Sequence, residues 1–146
     1  GEFEEISHSK EILLLVEAEL PENQSAEPSE LLTVHQQTNS DATELTALAL
    51  RANASWSAQV WDRDAQNTRA ALLKEFSQMF PGVSASRSET KRWRYANASA
   101  TAAAPFLSID GPSAIYCAGD GFGDLHQSGL SRAVTSGIAV ANYLLG

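Results

Sequence analysis

Cysteine is nearly absent from this chain: Cys117 stands alone among 146 residues, so no internal disulfide can form. It lies in the most apolar stretch, where a small buried hydrophobe is expected, and a reducing, cytoplasmic compartment is the simplest setting. Positive charge is scarce too. Ten Lys and Arg against 18 Asp and Glu leave a formal net charge of -8. The counterion release that drives nucleic-acid binding is therefore missing, and an anionic membrane surface would repel the chain, so neither nucleic acid nor membrane is an expected partner. No apolar run reaches the length of a membrane span and no basic-then-apolar leader opens the chain; the initial Gly1-Glu2-Phe3 fits a cloning scar. His8, His35 and His126 are scattered, with no carboxylate at a meaningful spacing, although His126 lies in the loop before the last helical pattern. No pair of Cys, His or acidic residues has metal-ligand spacing, and there is no Gly-x-Ser-x-Gly elbow, so no metal is expected and the catalytic residues stay unassigned. Asn-x-Ser triplets at Asn23, Asn53 and Asn97 would matter only in a secreted protein and read as chance.

A hydrophobic fraction of 43% places the chain among ordinary globular proteins with a real core. "EILLLVEAEL" (11–20) fits a strand buried on both faces, and "PENQSAEPSE" a polar connection after it. "LLTVHQQT" (31–38) and "LTALALRA" (45–52) predict two further strands joined by a turn at "NSDATE". From Asp62 the period becomes helical. Leu72, Leu73, Phe76, Met79 and Phe80 recur at three- and four-residue steps, and Pro81-Gly82 ends the run. Arg87, Lys91, Arg92 and Arg94 then gather around Trp93 and Tyr95. One reading is a strand with Trp93 and Tyr95 packed inward and Arg92 and Arg94 facing solvent or carboxylates; the other puts Trp93 or Tyr95 in a substrate pocket. The alanine-rich "ANASATAAAP" is expected to be an ordered connection.

The stretch "SAIYCAGDGFGDLHQSGLSRAVTSG" (113–137) carries the most chemistry. Ala114 to Ala118 suits a parallel strand covered on both faces, and Gly119 lets the chain leave it. Ligands of open α/β sheets sit just beyond such strand ends, where the acceptor-only carboxylate of Asp120 could hold sugar or polyol hydroxyls. The competing role for Asp120 is an Asx-turn or helix cap, and both stay open. In the helix that follows, Gly129, Ala133, Gly137 and Ala141 form a stripe of minimal bulk, with Leu130, Val134, Ile138 and Leu145 expected to pack beside it and Ser128 or Ser131 to cap it. "GDGFG" is not a dinucleotide fingerprint, because Asp124 occupies the third glycine position and no second strand follows.

"KRWRYA" (91–96), "GPSAIYCAGDGFG" (111–123) and "SRAVTSGIAVANYLL" (131–145) together resemble the C-terminal end of the renalase-like FAD-dependent oxidoreductases, relatives of the flavin amine oxidases. "LALRANASWSAQVWD", the amphipathic helix and "FPG" are similar to that family's substrate-domain sheet, with its "WS" at Trp56-Ser57, so the likeness covers most of the chain after about residue 45. The resemblance implies an α/β fold in two parts: a substrate-domain β-sheet with a packed helix over 4–108, and the closing strand, loop and helix of a Rossmann-like FAD domain over 109–146. It implies FAD as cofactor, with Gly119 and Asp120 on the ribityl chain, Gly121 and Phe122 beside them, and Ser131 and the backbone of Arg132, Ala133 and Val134 near the flavin C2 carbonyl and N1. Where the family has an acidic residue and a glycine, this chain has Ser131-Arg132; Arg132 would either crowd the flavin or place positive charge near N1. The glycine-rich fingerprint is expected on an N-terminal half or partner chain, without which the site is incomplete and the apolar surface around Ala114 to Cys117 should drive self-association. The implied activity is hydride transfer from a reduced nicotinamide or amine-like donor to flavin and then oxygen, which needs mainly positioning. A second reading, from a different class, is a non-catalytic folded module that binds a protein partner.

Overall fold

A computed structural model of the chain describes residues 6–39 and 44–146. The turn expected at "NSDATE" falls mostly on 40–43, and the scar on 1–3, both outside the described residues. The fold is mixed α/β, with a four-stranded sheet whose strands lie in the order Leu32–Asn39 (β2), Thr46–Ala52 (β3), Ser7–Ala18 (β1) and Ala85–Ala100 (β4). Strand β1, Ser7–Ala18, alternates as a pleated strand must: Ile12, Leu14, Val16 and Ala18 point into one core. Strand β3, Thr46–Ala52, pairs antiparallel with it and sets Leu50 opposite Leu14 and Leu48 opposite Val16, so both strands bury the same face. Strand β2, Leu32–Asn39, joins the other side of β3 with a register shift between Val34 and Gln36. On the opposite face of the pair, Glu11 meets Arg51 at 3.1 Å.

Two helices close the core. The short α1, Ala54–Gln59, begins where the Asn53 side chain accepts from the Trp56 amide, and it places Ser57 so that its buried hydroxyl accepts the Ile12 amide at 3.2 Å. That bond satisfies a backbone donor of β1 which would otherwise be buried unpaired. Helix α2, Ala65–Met79, starts at Asp64, whose carboxylate accepts from the Gln66 and Asn67 amides, and it lays Leu72, Phe76 and Met79 on the sheet with Phe80 just beyond. Gly82, at φ +80, turns the chain away after Pro81. The helix of Leu72 to Phe80 and the three early strands stand where the hydrophobic period predicts them; α1 was not foreseen, its signal being only the Asn53 cap.

By compactness the chain divides into two units, one of Lys10–Arg94 and the other of residues 6–9 with Tyr95–Gly146, earlier than the expected 108/109 boundary. The first holds the core described above. In the second, β4 (Ala85–Ala100) finishes beside the start of β1, with Ser7 and Ser99 hydroxyls 2.9 Å apart and the Ser9 hydroxyl donating to the Asn97 carbonyl at 3.3 Å. The first half of "ANASATAAAP" is thus strand and not connection, because a neighbour supplies the ladder its composition does not advertise. Strands β5 (Leu107–Ile109) and β6 (Ile115–Cys117) form an antiparallel pair, and α3 runs from Gly129 to Leu145. The rings of Phe106, Tyr116 and Tyr143 meet with centroids 5.4 to 6.3 Å apart.

Three expectations are corrected here. Ala114 to Ala118 is not a covered parallel strand: only three of its residues pair, antiparallel, and Ile115 is 56% exposed. Trp93 and Tyr95 do not pack inward but stand exposed, at 48% and 74%, while Arg92 reaches back to the Arg63 carbonyl at 2.8 Å and the Thr68 hydroxyl at 3.3 Å. In α3 the expected packing row is outermost, since Leu130, Val134, Ile138 and Leu145 are exposed and the buried positions are Arg132 and Ser136.

Candidate functional site

The loop between β6 and α3 is fixed from three sides, all within the unit of residues 6–9 and Tyr95–Gly146. From α3, the Ser136 hydroxyl accepts the Gly119 amide at 3.2 Å. From the segment after β4, Ala102 donates to the Gly121 carbonyl and accepts from the Gly123 amide, each at 2.9 Å, and the Thr101 hydroxyl donates to the Gly123 carbonyl at 2.6 Å. Gly123 sits at φ +94, a backbone conformation that side chains oppose. The third fixture is Arg132. Its guanidinium, buried at 4% exposure, donates to the carbonyls of Asp120 at 2.7 Å, Leu125 at 3.3 Å and Gln127.

Gly121 is a glycine for a different reason: a Cβ there would lie 2.8 Å from Ile6 Cγ2 and 3.2 Å from Cδ1. Gly121→Ala is therefore expected to lower stability by about 1–2 kcal/mol through overpacking. Adding Ile6→Ala should return most of the loss, and a chemical-denaturation midpoint for the single and double variants reads this directly. A single variant as stable as the parent would mean that Ile6 moves aside freely.

Asp120 follows β6 and lies beside the first turn of α3: a Cβ built on Gly129 would be 3.7 Å from Asp120 Oδ2. Oδ1 lies 3.4 Å from His8 Nε2, and Tyr95 meets the His8 ring edge-on at a centroid distance of 5.7 Å. His8 keeps 19% of its side chain exposed and Asp120 37%. The carboxylate thus has one oxygen facing an imidazole and remains open to a ligand. Asp120 is not the cap of α3, which is Ser128, with its hydroxyl accepting the Ser131 amide at 3.1 Å. Of the sequence-predicted positions, Gly119, Asp120 and Gly121 share this loop with Arg132 against it; Phe122 is buried and Ser131 and Val134 are exposed on α3. The amide of Arg132 donates to the Ser128 carbonyl at 3.0 Å, so it is spent inside the helix, and Ala133 and Val134 lie further along the same ladder. The guanidinium of Arg132 is turned into the loop, toward the carbonyls of Asp120, Leu125 and Gln127. His8 is the functional candidate that sequence reasoning passed over. It is separated from Asp120 by 112 positions, and no local pattern links them.

In the unit Lys10–Arg94 the uncovered sheet face forms a groove of about 390 Å³ with Leu15, Ala47 and Ala49 at its floor and Gln36, Arg87 and Glu89 at its rim. The Glu89 carboxyl is held below its ordinary range, first by the hydrogen bond from Lys91 at 2.6 Å and then by the charges of Lys91 and Arg87. Among the described residues no group of His, Cys, Asp and Glu is arranged to hold a metal ion, and no helix is long and apolar enough to cross a membrane. No family model matches the chain, and no curated protein is significantly similar to it.

Proposed function

We propose that the chain is the C-terminal part of a cytoplasmic FAD-dependent oxidoreductase of the renalase and amine-oxidase type, completed by an N-terminal half or partner chain that carries the glycine-rich fingerprint. The observation that carries this reading is the placement of Asp120: a half-exposed carboxylate, just past the end of a strand and beside the first turn of a helix, on a loop held by Arg132, Ser136 and Ala102. Its acceptors suit the ribityl hydroxyls, and its fixed loop lowers the ordering cost of binding. The exposed row of Leu130, Val134 and Ile138, with Ile115, supports the need for a complement, since contiguous apolar surface on a small unit is unstable in water unless covered. In the same reading β6, the loop and α3 are the closing elements of the FAD domain, the open sheet belongs to the substrate domain, and exposed Trp93 and Tyr95 are available to a small-molecule substrate. Bound FAD would supply the hydride acceptor; this chain's part is to hold and orient it. The fit is partial, because the amide of Arg132 is already committed to α3 and so the contact to the flavin carbonyl would have to come from elsewhere.

FAD titration tests the proposal. The chain alone should bind FAD weakly or not at all, and micromolar binding by flavin fluorescence would contradict its need for a complement. In the completed protein Asp120→Ala should raise the FAD dissociation constant roughly ten- to a hundredfold, the loss of charge-assisted hydrogen bonds. Unchanged affinity with a lowered thermal midpoint would reduce Asp120 to a structural residue and favour the protein-binding module instead.

A further inference from the structure

Building on that reading of Asp120, we propose that His8 is a positioning residue: its Nε2–H fixes one oxygen of the Asp120 carboxylate and thereby presents the other to a polyol ligand. Three observations meet at this point. His8 Nε2 lies 3.4 Å from Asp120 Oδ1, a contact longer than the roughly 2.7–3.2 Å of an ordinary N–H···O bond that a small side-chain rotation would tighten. Tyr95 meets the His8 ring edge-on at a centroid distance of 5.7 Å, a second contact on the imidazole beside the carboxylate. The Asp120 backbone is anchored independently, its carbonyl accepting from Arg132 Nε at 2.7 Å, which leaves the side-chain torsions as the freedom still to be removed. A carboxylate has about four lone-pair positions, so one bond from an imidazole does not exhaust it. What it does is choose a rotamer. Oδ2 is left against the Gly129 end of α3 in a side chain that is 37% exposed, so a hydroxyl donor would meet an acceptor whose orientation is already decided. Ser7 and Ser9 flank His8 in β1 and bond to β4, Ser7 to the Ser99 hydroxyl and Ser9 to the Asn97 carbonyl, which fixes the backbone that carries the imidazole.

A neutral imidazole can carry its proton on either nitrogen, and the assignment requires it on Nε2. Long-range proton–nitrogen correlation spectra of the 146-residue chain, taken at alkaline pH, read the tautomer of His8 directly. A free neutral histidine already favours the Nε2–H form, so the expected result is an Nε2–H fraction above that of a free histidine in the parent and in Asp120→Asn, whose amide oxygen can still accept, and a return to the free-histidine mixture in Asp120→Leu. A His8 tautomer at the free-histidine mixture in the parent, or one that ignores Asp120→Leu, would overturn the assignment. Circular dichroism on the same samples separates a tautomer change from unfolding. In the completed protein His8→Phe should raise the FAD dissociation constant about three- to tenfold, and His8→Gln, which keeps a donor near the Nε2 position, should recover most of it. Should the tautomer follow Asp120 while FAD affinity ignores both residues, the cofactor reading fails and the positioning of Asp120 by His8 stands; should affinity fall in Asp120→Ala but not in His8→Phe, the cofactor reading stands and the positioning role fails.

Discussion

Arg132→Met should release the loop between β6 and α3 and cost about 3 kcal/mol, the scale of losing hydrogen bonds donated by a charged group. The methionine matches much of the apolar stem, so the loss isolates the guanidinium. Three carbonyls accept from that one group, those of Asp120, Leu125 and Gln127, so a single substitution removes every one of these bonds. Lysine at this position keeps the charge but replaces a planar fork with a single ammonium, so Arg132→Lys should recover less than half of the loss. Because the chain forms two compact units, the effect belongs to one of them and is best read locally. Hydrogen exchange at Gly119, Ala102 and Gly123 should accelerate sharply in both variants while the amides of β1 and β3 stay protected. Exchange rates at those three amides within threefold of the parent would show that Ser136 and Ala102 hold the loop without Arg132.

The other large effect lies in the opposite unit. Phe76→Ala removes a ring that is 1% exposed and packs against Phe80 at a centroid distance of 5.1 Å, in a core shared with Leu14, Leu50 and Leu72. A phenylalanine truncated in such a place leaves a cavity that its neighbours fill only in part, and the expected cost is about 3–5 kcal/mol. Trp61 belongs to the same cluster, so urea unfolding followed by tryptophan fluorescence reports on it. A loss below about 1 kcal/mol would mean that α2 settles onto the sheet after truncation, since cavity cost falls as a site collapses. Loop exchange at Gly119 and Gly123 serves as the internal control in this case.

The proposed flavoprotein reading rests on specific residues, and the structure gives them unequal places. "GD" at Gly119-Asp120 does stand after a strand and before a helix, since glycine and aspartate both favour leaving regular structure. Arg132, the residue at which the resemblance is weakest, has a structural role of its own: it closes a loop through backbone carbonyls. From sequence, a lone arginine in the first turn of a helix gives no sign of this, because its acceptors are main-chain oxygens present at every position.

What the sequence by itself determined are the features built from near neighbours. The apolar run from Ile12 to Val16 makes a strand, the spacing of Leu72, Phe76 and Met79 makes a helix with one buried face, and Ser128 and Pro81-Gly82 mark where helices begin and stop. Each of these depends on residues within about one or two turns, where the backbone period decides which side chains share a face. Tertiary structure decided the rest. It set the direction of strand pairing, left Trp93, Tyr95 and the outer row of α3 exposed, and brought His8 to Asp120 across 112 positions. Those outcomes depend on which elements meet, and a hydrophobic pattern records only that a side chain seeks cover, not where the cover will come from.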